Sequence, residues 1–202
     1  NYHLLELHLT ADEGATHAAK VTLVFDRTIP NLPGKSVRGV TDETQNCPQG
    51  FLFMYRPLGI EEHTLWLYDQ SRPIQFTVTG KVVGELQVGS LQQALTEVQQ
   101  RHPSLRVRIA PDTTGRPWLI EDSNHIPLRV VERDSDQRWQ QGVEQELSQP
   151  FNWNHTPLVR VVLVHGINRS ELIGTCHHAI ADGMSAVYLL RDILQAVGLP
   201  GS

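Results

Sequence analysis

A mixed α/β (α+β) fold, a mixed β-sheet with helices packed on it, is what this sequence predicts, and three observations carry that prediction. Runs of alternating or β-branched residues mark strands, of which Leu158–Val164 is the strongest. Stretches with apolar residues three and four apart mark helices between them, as at Leu91, Ala94, Leu95 and Val98. The two kinds of segment alternate irregularly and no internal repeat is visible, which excludes a solenoid or a helix bundle.

The 202 residues divide into three zones. In the first, Leu5, Leu7 and Leu9 alternate with Glu6 and His8. Asp12-Glu13-Gly14 supplies turn chemistry and Val21–Phe25 a second β-branched run, which together predict a hairpin. From Asp26 to Gln49 the pattern dissolves into prolines, glycines and polar residues, which predicts a loop or linker. Residues 1–50 are thus a hairpin plus a linker-like segment without further assignment.

The second zone starts at Arg56. Ile74–Gly80 alternates with period two and predicts a half-buried strand. A helix follows with Ser90 as its N-cap, and it stops at His102-Pro103 because proline disfavours helix in the residue before it. Strands are predicted at Leu105–Ile109, Arg116–Glu121 and Leu128–Val131, with a turn at Asp112–Gly115. Trp139, Val143 and Leu147 recur every four residues and predict a helix over Asp136–Leu147. In the third zone Leu158–Val164 and Glu171–Cys176 form a hairpin across Asn168-Arg169-Ser170. A helix then runs from about Ser185, with Val187, Leu190, Ile193 and Leu194 as its apolar stripe, and ends at Gly198.

Composition narrows the function. With 40% hydrophobic and 19% charged residues the chain supports an ordinary core, and neither a disordered tail nor a fibre fits. The formal net charge is −5 and no basic block concentrates positive charge, so nucleic acid is not an expected partner. No apolar run approaches the roughly 18 residues that span a bilayer, and the best, Leu158–His165, is interrupted by Arg160, so no membrane span is expected. The start, Asn1–Glu6, lacks the basic head and apolar stretch of a signal peptide and does not begin with Met, so it reads as a processed or excised start. Two distant cysteines, Cys47 and Cys176, without a CxxC pair, indicate neither a disulfide framework nor a thiolate zinc site, and a reducing, cytoplasmic setting follows.

The densest information is His177-His178-Ala179-Ile180-Ala181-Asp182-Gly183, between a predicted strand and a predicted helix. A neutral imidazole can take a proton from an attacking hydroxyl or amine, as acyl transfer requires. Adjacent side chains on an extended segment point to opposite faces, so one histidine reaches a given cleft while the other packs or hydrogen-bonds. Gly183 would let the backbone turn tightly before the helix. A zinc site from Cys176, His177, His178 and Asp182 lacks the spacing that puts ligands on one face. Cys176 as a nucleophile activated by imidazole is weaker than Cys176 as a buried strand residue.

This segment matches HHxxxDG in full and resembles the signature of the acyltransferase superfamily of chloramphenicol acetyltransferase, the condensation domains of nonribosomal peptide synthetases and the polyketide-associated acyltransferases. Arg101-His102-Pro103-Ser104-Leu105-Arg106 is similar to the RHxxLR element of condensation domains. Pro150-Phe151 with Pro157-Leu158-Val159-Arg160 is similar to their PF…PLxR stretch, and Leu58–Gln70 to their opening segment. The resemblance covers residues 57–202 and implies one chloramphenicol acetyltransferase-like lobe, the N-terminal lobe of a condensation-type domain. It implies that His178 is the general base, that Asp182 is structural and pairs with an arginine, for which Arg106 is the candidate, that Gly183 keeps the loop close to the substrate channel, and that His177 is a supporting residue of the motif. Ser185, on the first helical turn, is a candidate oxyanion donor by position.

The implied activity is transfer of an acyl group from a thioester, on coenzyme A or on the phosphopantetheine arm of a carrier protein, to a hydroxyl or amine of a small-molecule acceptor. No bound cofactor and no metal are implied. The DFGWG-type motif of the family's second lobe is absent from the sequence. The expected partners therefore include a second lobe or subunit that completes the cleft, besides a carrier protein. The alternatives are a non-catalytic docking module of the same fold, or one lobe of a larger enzyme that is inactive alone. The first strand pattern, Leu-Glu-Leu-His-Leu…Val-Thr-Leu-Val-Phe-Asp-Arg, faintly resembles the closing strands of such a second lobe.

Overall fold

The computed structural model describes residues 55–198 except 85, 123 and 156, together with the backbone of two strands nearer the N-terminus. Among the described residues two sheets form. The larger has the strand order β1 (Tyr2–Leu7), β2 (Ala19–Asp26), β4 (Gln75–Val83), β9 (Arg169–His177), β8 (Val159–His165), β7 (Leu128–Glu132). All its neighbours are antiparallel except β7 and β8, which run parallel. The smaller sheet has the order β3 (Tyr55–Pro57), β6 (Pro117–Glu121), β5 (Val107–Pro111). Four α-helices join them: α1 (Ile60–Asp69), α2 (Val88–Arg101), α3 (Arg138–Ser148) and α4 (Gly183–Ala196).

The hairpin predicted in the first zone is present as β1 and β2, paired from Tyr2↔Asp26 to Leu7↔Val21, and β2 continues the sheet onto β4. The turn at Asp12-Glu13-Gly14 and the segment between Asp26 and Gln49, predicted as linker, lie outside the described residues apart from Asp26 itself. Elsewhere the predicted elements hold with shifted ends. Helix α2 starts at Val88 with Gln87 at its cap position, three residues before the predicted cap Ser90. Leu105 sits in a short 3₁₀ turn, Pro103–Arg106, so β5 begins at Val107. Strand β9 starts at Arg169, inside the predicted turn.

Helix α1 and the short β3 are not among the predicted elements. Leu67, Tyr68 and Ile60 are exposed, so the apolar residues of α1 do not fall on a single stripe. Its start is held instead by polar contacts. Glu62 accepts the Gly59 amide at 2.7 Å and pairs with Arg56 through both carboxylate oxygens, at 2.7 and 2.6 Å.

The period of two along the central strands sorts residues onto two faces of the large sheet. Phe76 and Val78 of β4, Val161 and Leu163 of β8, and Leu172 and Cys176 of β9 meet α2 and α4 in the main apolar core. Each large side chain buried there contributes roughly 1.5–3 kcal/mol. The opposite face packs Val162, Val164 and Ile173 against Trp139 and Val143 of α3. On that face the C-terminal carbonyls of α3 are capped from the sheet. Gln75 Nε2 donates to the carbonyls of Glu146, Leu147 and Gln149 at 2.8, 3.0 and 2.9 Å, and the Arg160 guanidinium donates to those of Glu146 and Gln149. A third cluster, Leu58, Val107, Ile109, Leu119, Leu158 and Ala179, joins the small sheet to the end of β9.

Candidate active site

The His-His segment begins where the central strand β9 runs out. His177 is its last residue, paired in register with Gln75 of β4, and its amide donates to Leu158 O at 3.0 Å. The His178 amide donates to Ile74 O at 3.2 Å. The chain then turns, with Ile180 N on His177 O at 3.1 Å, and Ala179 is buried in the third cluster. Five residues, 178–182, lead into α4.

The two rings meet different neighbours. His177 is 1% exposed in its side chain, and its Nδ1 accepts the Ala179 amide at 3.0 Å. Its Nε2 lies 3.4 Å from Asp69 Oδ1, and the edge of Phe151 closes the site at 6.1 Å between centroids. His178 lies against Phe76 of the main core, 4.4 Å between ring centroids. Its ring is half-buried, and its Nε2 is enclosed without a hydrogen-bond partner. Burial, and then the neighbouring His177, push the His178 pKa down to about 4, against a smaller upward pull from Asp182. His178 is therefore a neutral imidazole with an unused nitrogen at physiological pH.

Asp182 is the N-cap of α4. Its Oδ1 accepts the Ser185 amide at 2.7 Å, and the Ser185 side chain and amide hold the carboxyl below the usual range. The expected Asp182–Arg106 pair is not formed. Arg106 donates through Nε to Glu121 at 2.7 Å and through its terminal nitrogen to the carbonyls of Gln99 and Gln100 at 2.7 and 2.6 Å. The reason lies in the small sheet, where Val107 is in register with Glu121, so the carboxylate nearest Arg106 is the one across the β5–β6 ladder. Asp182 is itself exposed, which removes the premise of a buried ion pair.

Gly183 is the first residue of α4, and the left-handed glycines among the described residues are Gly84, Gly115 and Gly198. The tight turn expected of Gly183 thus needs no positive φ. Ser185, the candidate oxyanion donor, is engaged by Asp182 through both its amide and its side chain. Cys176 points into the main core on the other side of the sheet from His177, and burial pushes its thiol up to about 12, so it is neither an activated nucleophile nor placed to share a metal with His177. His102, at the end of α2, faces Asp192 of α4 at 3.0 Å.

Asp69 is absent from the residues that the sequence singles out. It ends α1 within the Leu58–Gln70 segment, and only the folded chain shows that it reaches the end of β9. The available signal is an acidic residue closing an otherwise apolar Leu65–Tyr68 run, five residues before a predicted strand that opens at Ile74 and pairs with the histidine strand.

A family model described as the condensation domain matches residues 65–197. A linear gramicidin synthase of Brevibacillus parabrevis is 30% identical over 154 residues, which are 68% of this chain and 3% of that protein. Among solved structures, the first condensation domain of the calcium-dependent antibiotic synthetase, in complex with a substrate analogue, superposes with a TM-score of 0.64 at 20% identity over 73% of this chain and 39% of that one. A starter condensation domain of rhizomide synthetase in complex with C8-CoA gives 0.65 at 15% identity over 74% and 38%. The chain therefore spans a small fraction of the synthase and under two fifths of these solved neighbours. The family match over residues 65–197, about two thirds of the chain, leads to one conclusion: this chain belongs to the condensation-domain family.

Proposed function

We propose that this chain is the histidine-bearing lobe of an acyl-transferring condensation enzyme, in which His178 is the general base. The observation that carries the reading is the unpartnered Nε2 of a neutral, half-buried imidazole at the end of the central strand. In the proposed step the acceptor's nitrogen or oxygen attacks the thioester carbonyl and its proton passes to the His178 imidazole. The new C–N or C–O bond forms, the carbonyl becomes an oxyanion, and the oxyanion collapses with loss of the C–S bond. The proton then leaves imidazolium for the departing thiolate, so the base is regenerated. A thiolate is a far weaker base than the alkoxide or amide ion it is exchanged for, which favours collapse in the forward direction. The donor is a thioester on coenzyme A or on the phosphopantetheine arm of a carrier protein. The first fits the C8-CoA complex of the rhizomide neighbour, the second the peptide-synthase relative. The acceptor is a small-molecule or carrier-bound amine or alcohol.

The enclosure of His178 Nε2 favours a second reading within the same family: this lobe is inactive alone, and a second lobe or subunit opens and completes the cleft. Thioester turnover by this chain, with and without the remaining polypeptide of its synthetase, separates the two. For either reading His178→Ala, in the form that turns over, is expected to lower transfer by about 10²- to 10⁴-fold with the circular dichroism spectrum unchanged. Retained turnover would sink the general-base assignment.

A further inference from the structure

We propose that Asp69 is a positioning residue for the histidine loop: it sets the tautomer of His177, and through that ring and the Ile74 peptide it fixes where His178 stands. The proposal rests on the reading of His178 as the base. Asp69 is a buried carboxylate, 4% exposed in its side chain, which accepts two hydrogen bonds and faces the His177 ring, its neighbours coming from three other parts of the chain. Oδ1 accepts the Ile74 amide at 2.7 Å, ahead of β4, and Oδ2 accepts Trp153 Nε1 from the loop after α3. His177 Nε2, at the end of β9, stands 3.4 Å from Oδ1. Burial alone would raise the carboxyl, but His177, the Ile74 amide and Trp153 together outweigh it and hold Asp69 below its ordinary value.

An ionised carboxylate offers only acceptors, so the ring nitrogen turned toward it carries the proton. The other ring nitrogen, Nδ1, accepts the Ala179 N–H at 3.0 Å and so carries none. Both ends of the ring specify one tautomer, and the edge of Phe151 packs against that ring. From Asp69 two routes then lead to the base. One runs through His177 to the Ala179 amide, which immediately follows His178. The other runs through Ile74, whose N–H is held by Asp69 and whose carbonyl accepts the His178 amide at 3.2 Å. An asparagine at position 69 cannot satisfy this arrangement, because its NH₂ must face Trp153 Nε1–H or the Ile74 and His177 donors.

The test is two-bond ¹H–¹⁵N spectroscopy of the histidine rings in the full chain, with His177 assigned by its loss in His177→Gln, alongside steady-state kinetics. Expected in the unsubstituted protein is a His177 with bare Nδ1 and a slowly exchanging Nε2 proton. Asp69→Asn should abolish that state in favour of the other tautomer or an exchanging mixture. It should also lower kcat for thioester transfer by about tenfold or more, while KM for the thioester changes less than about twofold. A protonated Nδ1 in the unsubstituted chain, or an unchanged tautomer in Asp69→Asn, overturns the proposal. If Asp69→Asn does not fold, the unsubstituted spectrum decides by the same criterion. Should His178→Ala retain turnover, the general-base reading falls, while the His177 tautomer still answers for Asp69.

Discussion

The two faces of the large sheet are built by different physics, and the two histidines belong one to each. On the α3 face the sheet buries ions and polar groups. Glu146 meets Arg160 and Arg129, Glu171 meets Arg133 and Arg169, and Asp69 meets His177. On the α2 and α4 face the contacts are apolar, and His178 stands against Phe76. A polar environment with matched donors and acceptors fixes a ring, whereas an apolar one lowers its proton affinity. One dipeptide at the end of one strand thereby sets an imidazole whose Nδ1 accepts a backbone amide beside a neutral one packed on an aromatic ring.

The strongest way to break the contrast is to spoil the ionic face. Glu146→Ala leaves Arg160 and Arg129 without their shared carboxylate, and chemical denaturation should show a loss of about 3–5 kcal/mol. A loss under about 1 kcal/mol would mean that the polar face is no more than a solvated surface. A smaller effect is expected at the mouth of the apolar face. Asp182→Ala removes a helix cap and not a buried ion pair, so it should cost about 1 kcal/mol, read from the same denaturation curves. A loss several times larger would restore an arginine partner for Asp182. A third effect sharpens the contrast through pH. Because folding lowers the His178 pKa from 6.5 to about 4, the unfolded chain binds more protons in that window. The contribution of His178 to stability is complete above about pH 6.5 and declines as pH falls toward 4. The acid limb of kcat/KM for the free enzyme should correspondingly lie near pH 4, and a limb at 6.5 would place His178 in water.

The strands and the later helices are legible in the sequence because their signals are local. β-branched runs such as Val159–Val164 and the stripe Leu91, Ala94, Leu95, Val98 declare their partners' side of the sheet by period alone. Helix α1 is not, since Ile60, Leu67 and Tyr68 stay exposed and its start depends on Glu62 reaching Gly59 and Arg56. The histidine segment is visible as chemistry, but its supports are not. The place of Arg106 in a motif-like element points to Asp182, yet the register of β5 against β6 gives it Glu121. Asp69 is 108 residues from His177 in sequence, a separation that no local pattern bridges.

The backbone around the histidine pair has a consequence for motion. The amide of His177 is bonded to Leu158, ahead of β8, and that of His178 to Ile74, ahead of β4, so the dipeptide is stapled to the strands on both of its sides. Neither proton can exchange with solvent by the fraying of a loop, because β9 would have to part from one of its neighbours first. The histidine segment thus shares the opening free energy of the sheet's centre, and its backbone stays in place while helix ends fray.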